Sequence, residues 1–358
     1  MAWKDNILGF VPKTDWLDVG FNVSRQNDPT DLILGDDKTD NLIAEWESLA
    51  AEYQIPMMAQ FHGFDTESQK TFRTPVDTHN IEKGLIKVKL NQSERIRSLL
   101  GKGVREDALY DYVINDGIRL ADQVVTRSKV AKNELLATGK VTIKENNLDL
   151  VVDYGVANNQ TSFTLDFSDN AEKDIPAQLQ EIVDAALDKG VTLTGIYTSK
   201  AMLSKLRKNK AIQIAVNGAV GEGALVKNAA LAAYLDEEFG LGTIITNDLT
   251  YGASATIDPL TGRPSVTSDR YYPKNKITFF ATNAGGKLGV GLWGNPPELD
   301  AARFMDVETA NAVSPYVYVS QWAENDPAVL WTKASGLFMP VLYNPSSLFI
   351  ATDNTAGA

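Results

Sequence analysis

The residues that most often carry catalysis or bind metals are scarce in this sequence of 358 residues. It contains no cysteine and only two histidines, His62 and His79. The lack of cysteine excludes disulfides, thiolate metal sites, iron–sulfur clusters and a cysteine nucleophile. Two histidines are too few for most histidine-based metal sites. Either histidine would need a positioned partner to act as a general base, so we interpret both as exposed loop residues.

Two glycine clusters resemble nucleotide-binding loops only superficially. Gly218–Gly223 reads GAVGEG and Gly285–Gly294 reads GGKLGVGLWG, and neither has the GxxxxGK(S/T) or GxGxxG pattern that surrounds a phosphate. We interpret them as a loop and as a strand relieved by glycine. Asp36, Asp37 and Asp353 lack the alternating ligands of a calcium loop, so we interpret them as solvated charges. The sequence therefore contains no candidate catalytic, cofactor-binding or metal-binding residue, and it predicts a protein that is not an enzyme and needs no cofactor.

Charge is unevenly distributed along the chain. The whole sequence has 34 Lys and Arg against 46 Asp and Glu, a net charge of −12, which disfavours binding to nucleic acid through its phosphates. Residues 1–59 carry a net charge of −7, whereas residues 60–105 carry +4. Adjacent segments of opposite charge indicate separate structural units. No signal peptide opens the chain and no apolar run could span a membrane, so we expect a cytoplasmic protein.

The strongest helical pattern lies between Arg105 and Thr138. One stripe recurs there at spacings of three and four: Val113, Gly117, Leu120, Val124, Ser128, Ala131 and Leu135. Acidic residues at the start and Lys129 and Lys132 near the end suit the helix dipole, and Gly139 predicts a left-handed cap. A helix of this length, roughly 50 Å, usually serves as a spine.

The other elements form three groups. Residues 60–100 predict an extended β-excursion, within which 84–90 alternates apolar and basic residues like a half-buried or edge strand. After the spine, 141–144 and 148–153 flank a polar turn and predict a hairpin. Residues of about 175–300 predict a compact α/β unit. Its first element is a helix capped by Asp174, with a predicted buried face of Leu179, Ile182, Val183, Ala186 and Leu187. The other predicted elements are strand 191–199, helices 200–208 and 224–239, strands 243–249, 277–282 and 288–293, and a turn at 258–262.

The order of these parts resembles the Hong Kong ninety-seven fold of tailed-bacteriophage major capsid proteins, and within it the lambda capsid protein E family. Three stretches carry the resemblance. One runs from the end of the spine, AKNELLATGKVTI, to Val151–Gly155; the second is YYPKNKITFF from Tyr271; the third runs from Asp326 through ASGLFMPVLYNP. The resemblance covers about 105–350 well, and the first 55 residues only by position.

The resemblance implies an α+β fold with five parts. These are an N-terminal arm (1–59), an extended loop (60–104), a peripheral domain with the spine helix and hairpin (105–174), a compact α/β axial domain (175–300), and return strands that complete the peripheral domain (301–358).

The implied function is that of a major capsid protein that forms hexamers and pentamers in an icosahedral head shell. The shell would be assembled in the host cytoplasm, reside in the virion and enclose double-stranded DNA without binding it specifically. Implied partners are other copies of the chain, scaffolding and portal proteins and a decoration protein, with no membrane. We expect Lys83, Lys87 and Lys89, as exposed charges of the loop, to contact an acidic surface of another subunit. Two alternatives remain: an encapsulin-like nanocompartment shell protein and an enzyme with an unrecognised site.

Overall fold

The computed structural model of the chain describes residues 28–49, 58, 76–92, 106–169, 173–218, 223–257, 264–283, 285–298, 316–325 and 328–355. Within these ranges the helices are α1 (Glu106–Thr138), α2 (Asn158–Thr161), α3 (Ile175–Leu187), α4 (Lys200–Lys208), α5 (Lys210–Asn217) and α6 (Asn228–Phe239). The strands are β1 (Leu34–Lys38), β2 (Ile43–Leu49), β3 (Val76–Glu82), β4 (Gly84–Gln92), β5 (Lys140–Glu145), β6 (Leu148–Asp153), β7 (Phe163–Leu165), β8 (Gly195–Thr198), β9 (Thr243–Thr246), β10 (Thr250–Ile257), β11 (Pro264–Arg270), β12 (Lys276–Phe280), β13 (Gly289–Gly294), β14 (Tyr318–Asn325), β15 (Ala328–Leu342) and β16 (Leu348–Asp353).

The predicted spine helix is α1. Its stripe is buried at Gly117 and at five further positions: Leu120, Val124, Ser128, Ala131 and Leu135. The side chain of Val113, the first member of the predicted stripe, lies outside the described residues. The predicted cap is confirmed, because Gly139 has a φ of 72° and its N–H donates to the Leu135 carbonyl at 2.8 Å.

The long strand β15 organises one five-stranded sheet. Strand β4 pairs antiparallel with residues 330–338 of β15 along one edge. Along the other edge, β14 pairs with residues 328–335 and β13 pairs with residues 337–342. Strand β1 then adds parallel to β13. In the part of the chain that the structure describes, β4 pairs with β15 alone, which confirms the predicted edge strand.

A second five-stranded sheet has the order β7-β16-β12-β8-β9. Its side chains alternate between two cores, as the two-residue period of a strand requires. On β12, Phe280 packs into the core that contains α1, whereas Ile277 and Phe279 pack into a separate core with helices α3 to α6. The sheet is therefore covered on both faces, with α1 on one side and the helical layer on the other.

The last turn of α1 is completed by the β12 sheet. The Thr278 hydroxyl donates to the Leu136 carbonyl at 2.6 Å, and Lys276 Nζ donates to the Ala137 carbonyl at 2.7 Å. The final carbonyls of a helix have no partner within it, and a cation there also complements the helix dipole. Strand β12 thus fixes the C-terminal end of α1 in position.

A buried polar cluster joins the N-terminal segment, α1 and the β12 sheet. The Tyr197 hydroxyl donates to Asn133 Oδ1 at 2.7 Å, accepts from Asn247 Nδ2 at 2.8 Å and lies 2.8 Å from Thr30 Oγ1. Asp28 Oδ1 accepts from the Thr30 hydroxyl at 2.6 Å and from Asn247 Nδ2 at 3.1 Å. Burial and the nearby charge of Asp28 raise the pKa of Tyr197, so the hydroxyl keeps its proton.

Lys132, six residues before the end of α1, is an ion-pair partner rather than a surface charge. Its side chain is 1% exposed, and its Nζ lies 2.8 Å from Asp31 Oδ1 and 2.7 Å from Asp36 Oδ1. Asp36 is exposed as predicted and also pairs with Lys132. The prediction of solvated charge was wrong for Asp353, which is buried and ion-paired with Lys205. The two carboxylates beside Lys132 compensate for the hydration that its ammonium group loses on burial.

Most local predictions in the α/β region are confirmed. Asp174 caps α3 by accepting from the Ala177 N–H at 3.0 Å, and Asn146 and Asn147 have positive φ in the β5–β6 turn. Leu187 was predicted to be buried but is 52% exposed, because it is the last residue of α3 and lies beyond the covered part of the helix. Helix α5 and the β10–β11 hairpin were not predicted. The predicted turn at 258–262, between β10 and β11, lies outside the described residues.

The order of the strands within the sheets differs from their order along the chain. Strand β13, at the end of the region read as α/β, pairs with β15 and β1. Strands β7 and β16, which flank that region in sequence, pair in the β12 sheet. The alternation of a strand indicates which of its faces is buried but does not specify which strand it pairs with.

Replacement of Tyr197 by Phe tests the buried polar cluster. We expect Tyr197→Phe to lower the free energy of unfolding by about 1–3 kcal/mol, because Asn133 and Asn247 lose a buried partner. Tyr272→Phe is the matched control, since the ring centres of Tyr272 and Tyr197 are 4.9 Å apart and the Tyr272 hydroxyl lies 2.8 Å from Thr278 Oγ1, outside the cluster. Urea denaturation measures both, and an equal or larger loss for Tyr272→Phe would contradict the importance of the cluster.

Candidate assembly surface

The described residues contain no cluster that could bind a metal ion. Nowhere in these ranges do three or more His, Asp or Glu side chains come together in a way that could hold a metal ion. His62 lies outside the described residues, and His79 pairs through its backbone with Trp46 in the β2–β3 hairpin. None of the described helices combines the length and hydrophobicity needed to cross a bilayer.

The second glycine cluster has a packing role in β13. A Cβ on Gly289 would lie 2.1 Å from the Val341 carbonyl oxygen, and one on Gly291 would lie 2.5 Å from Asp36 Oδ1 and 2.7 Å from Lys132 Cε. Side chains at these positions would collide with β15 and with the Lys132 ion pairs. The prediction of a strand relieved by glycine is confirmed. Of the first cluster, 219–222 lie outside the described residues.

A groove of about 520 Å³ lies beside the edge strand β4. One wall is β4 from Gly84 to Lys87, the opposite wall is the β5–β6 hairpin, and α1 contributes Arg127 and Ala131. Arg127 Nε donates to Glu145 Oε1 at 3.0 Å at the rim. The lining is mostly apolar, so the groove is suited to apolar groups rather than to a charged small molecule.

The hairpin wall presents leucines that are exposed in the described structure. Leu150 pairs with Ile143 across the hairpin and Leu148 pairs with Glu145, so these side chains share one face. Leu148 is 60% exposed and Leu150 is 44% exposed. At the other end of the groove Leu42 is 51% exposed. Grouped apolar side chains that remain exposed in a folded subunit indicate a protein–protein contact.

The three loop lysines differ in exposure. Lys87 and Lys89 are exposed as predicted, and Lys89 Nζ lies 4.3 Å from the centre of the Trp331 ring. The prediction was wrong for Lys83, which is 3% exposed and has its Nζ surrounded by oxygen atoms. Lys83 is the single residue between β3 and β4, so it does not follow the alternation of β4.

A sequence model of the family described as phage major capsid protein E matches residues 86–353, well over half of the chain. The chain belongs to this family. It is a phage major capsid protein, and the region matched runs from β4 to β16, which includes α1, the β12 sheet, the β15 sheet without β1, and most of the groove lining. No curated protein sequence matches the chain significantly.

Three solved structures with phage or prophage descriptions are similar to this chain in fold. A prophage capsid protein from E. coli CFT073 is 13% identical, with 95% of this chain and 97% of that chain covered and a TM-score of 0.54. A phage-related protein from Bordetella bronchiseptica RB50 is 8% identical, with 96% and 98% covered and a TM-score of 0.53. A chain of Mycobacterium phage Cain is 10% identical, with 93% and 92% covered and a TM-score of 0.50. The predicted α+β fold of the Hong Kong ninety-seven type is confirmed.

The groove was not predicted from the sequence. The hairpin sequence alternates Leu148, Leu150 and Val152 with polar or smaller residues, which indicates an apolar face. That pattern does not reveal whether the face is covered. Val152 is 4% exposed beneath the same hairpin, whereas the two leucines near the turn extend beyond the subunit core.

The groove can be tested by removing its exposed apolar wall. We expect the double variant Leu148→Ser, Leu150→Ser of this capsid protein to fold with a loss of stability of only about 1 kcal/mol, because exposed side chains contribute little burial. Assembly into particles, measured by sedimentation, should fall sharply.

Val151→Ser is the matched control. Val151 is on the same strand and is 51% exposed, but it lies on the opposite face of the hairpin. If the control impairs assembly as much as the double variant does, the groove is not the contact.

Proposed function

We propose that this capsid protein forms hexamers and pentamers that make up the icosahedral shell of a tailed-phage head, and that it has no catalytic role. The observation that carries the proposal is the exposed apolar groove beside the edge strand β4, in a chain whose family builds shells. The partner that covers the groove is a second copy of the chain. Family membership favours the phage shell over a nanocompartment.

We propose the five parts that the sequence predicted, with their boundaries adjusted by sheet pairing. Residues 1–59 form the arm and 60–104 the extended loop, except that β1 and β4 within these ranges join the β15 sheet. The β15 sheet with α1 and the β5–β6 hairpin forms the peripheral domain. The β12 sheet with α3 to α6 forms the axial domain. The sheet pairing supports assigning β13 to the peripheral domain, and β7 and β16 to the axial domain.

The proposed partners follow from the same function. Copies of the chain come first, followed by scaffolding and portal proteins, a decoration protein, and double-stranded DNA that is enclosed without specific binding. The net charge of −12 supports weak contact with DNA, because like charges repel. Assembly takes place in the host cytoplasm, and the mature protein resides in the virion.

The exposed lysines of β4 provide a direct test of the contact between copies. Charge pairs across an interface increase the encounter rate more than the affinity, and salt screens them over about 8–10 Å. We expect the double variant Lys87→Glu, Lys89→Glu to retain its circular dichroism spectrum, since exposed charges contribute little to stability. Its assembly at low salt should be much slower than that of the wild type, as measured by light scattering and negative-stain microscopy.

A second double variant controls for net charge. Lys200→Glu, Lys208→Glu produces the same change in charge at two exposed positions of α4. Slow assembly of both double variants would indicate a general charge effect and would contradict a specific contact at β4. Wild-type protein that remains a 39.1 kDa monomer under all conditions would contradict the proposed function itself.

A further inference from the structure

Lys83 is a buried ammonium group held by uncharged oxygen atoms. Its Nζ donates to the Asn41 carbonyl at 2.6 Å and to Thr39 Oγ1 at 2.7 Å. The carbonyls of Thr39 at 3.3 Å and of Trp293 at 3.4 Å complete the surroundings. A lysine ammonium has three N–H donors and no acceptor, so four oxygens are enough to satisfy it.

The environment of Lys83 is unusual for a buried cation. Among the described residues, no carboxylate oxygen lies within ion-pair distance of its Nζ, in contrast to Lys132 with two. Burial lowers the pKa of Lys83, and the charge of Asp40 opposes this only in part. A buried charge without a counter-ion contributes little to stability. Stability therefore does not explain why a lysine occupies this buried position.

By donating to these oxygens, Lys83 connects the antiparallel β2–β3 pair, called the ribbon below, to the β15 sheet. Thr39 and Asn41 lie on the connection from β1 to β2, and Trp293 lies on β13. Two backbone bonds reinforce the junction: the Lys83 N–H donates to the Leu42 carbonyl at 3.1 Å, and the Thr39 N–H donates to the Trp293 carbonyl at 2.8 Å. Hydrogen bonds thus hold the base of the ribbon, where both strands leave the sheet.

Near this junction, the paired residues Ala44 and Ile81 pack into the core around α1. Farther along, the described residues of β2 and β3 are paired with each other. Residues 43–49 pair with 76–82 in register, and in the described residues neither strand pairs with a third. A two-stranded ribbon has no sheet to hold its direction. Its direction is therefore set at its base, where Lys83 lies.

The lack of a side chain at Gly294 leaves room for the side chain of Lys83. A Cβ on Gly294 would lie 3.2 Å from both Cδ and Nζ of Lys83 and 2.7 Å from Leu337 Cδ2. The last residue of β13 thus lacks the side chain that would press against Lys83 and the β15 sheet.

We propose that Lys83 is the positioning residue of assembly: its ammonium group fixes the direction in which the β2–β3 ribbon leaves the β15 sheet, so that the ribbon reaches a neighbouring copy. The assembly part of this inference rests on the proposed function. The fixing of the ribbon does not, and it can be measured on unassembled subunits.

The test combines hydrogen exchange with chemical rescue of Lys83→Ala in the full chain. We expect amide exchange in 39–49 and 76–84 to rise about ten- to a hundredfold, as for the loss of one hydrogen bond to a charged group. Exchange in 120–138 should stay unchanged, and assembly should slow by a similar factor. n-Propylammonium, which replaces the atoms that the substitution removes, should restore both properties.

Two controls make the test specific to an ammonium donor. Tetramethylammonium at equal ionic strength has no N–H group and should not rescue. Lys89→Ala, an exposed lysine on β4, should leave exchange in the ribbon unchanged.

Unchanged ribbon exchange in Lys83→Ala would overturn the proposal, and so would loss of protection throughout the subunit or equal rescue by both cations. A loosened ribbon with normal assembly would overturn the positioning role while leaving the shell function intact. Failure of the wild type to assemble would count against the proposed function instead.

Discussion

The burial of one long helix between two sheets is the constraint on which the rest of the subunit depends. Helix α1 contacts the β15 sheet along its buried stripe, and β12 of the other sheet binds its last carbonyls through Thr278 and Lys276. Because carbonyls at a helix end must find partners, the second sheet cannot shift along the helix without leaving them unsatisfied. The polar cluster around Tyr197 and Asn133 then fixes the N-terminal segment to the same point.

This rigid centre explains how the projecting parts can serve assembly. The β2–β3, β5–β6 and β10–β11 pairs are two-stranded and extend from the two sheets. Ribbons of this kind are marginal alone and gain stability from contacts with another surface. A subunit built from a fixed body and exposed ribbons, with an apolar groove beside an edge strand, can therefore leave part of its burial to contacts between copies.

Local features of the fold could be predicted from the sequence, and long-range ones could not. The stripe of α1, its cap at Gly139 and the β5–β6 turn follow from spacing and backbone preference. The pairing of β13 with β15 does not, because alternation specifies a face rather than a partner. The groove was also missed, since exposure of Leu148 depends on what packs over the hairpin.

The lysines show why charge patterns alone were misleading. Lys83 and Lys87 are four residues apart in a basic segment, yet one is buried and the other is exposed. A hydrophobic residue at the position of Lys83 could fill the space, but it would form no hydrogen bonds that fix the orientation of Thr39, Asn41 and Trp293. Hydrogen bonds depend on angle as well as distance. In a closed shell an error in the direction of one ribbon is repeated in every copy, so a group that contributes little stability can still be required for assembly.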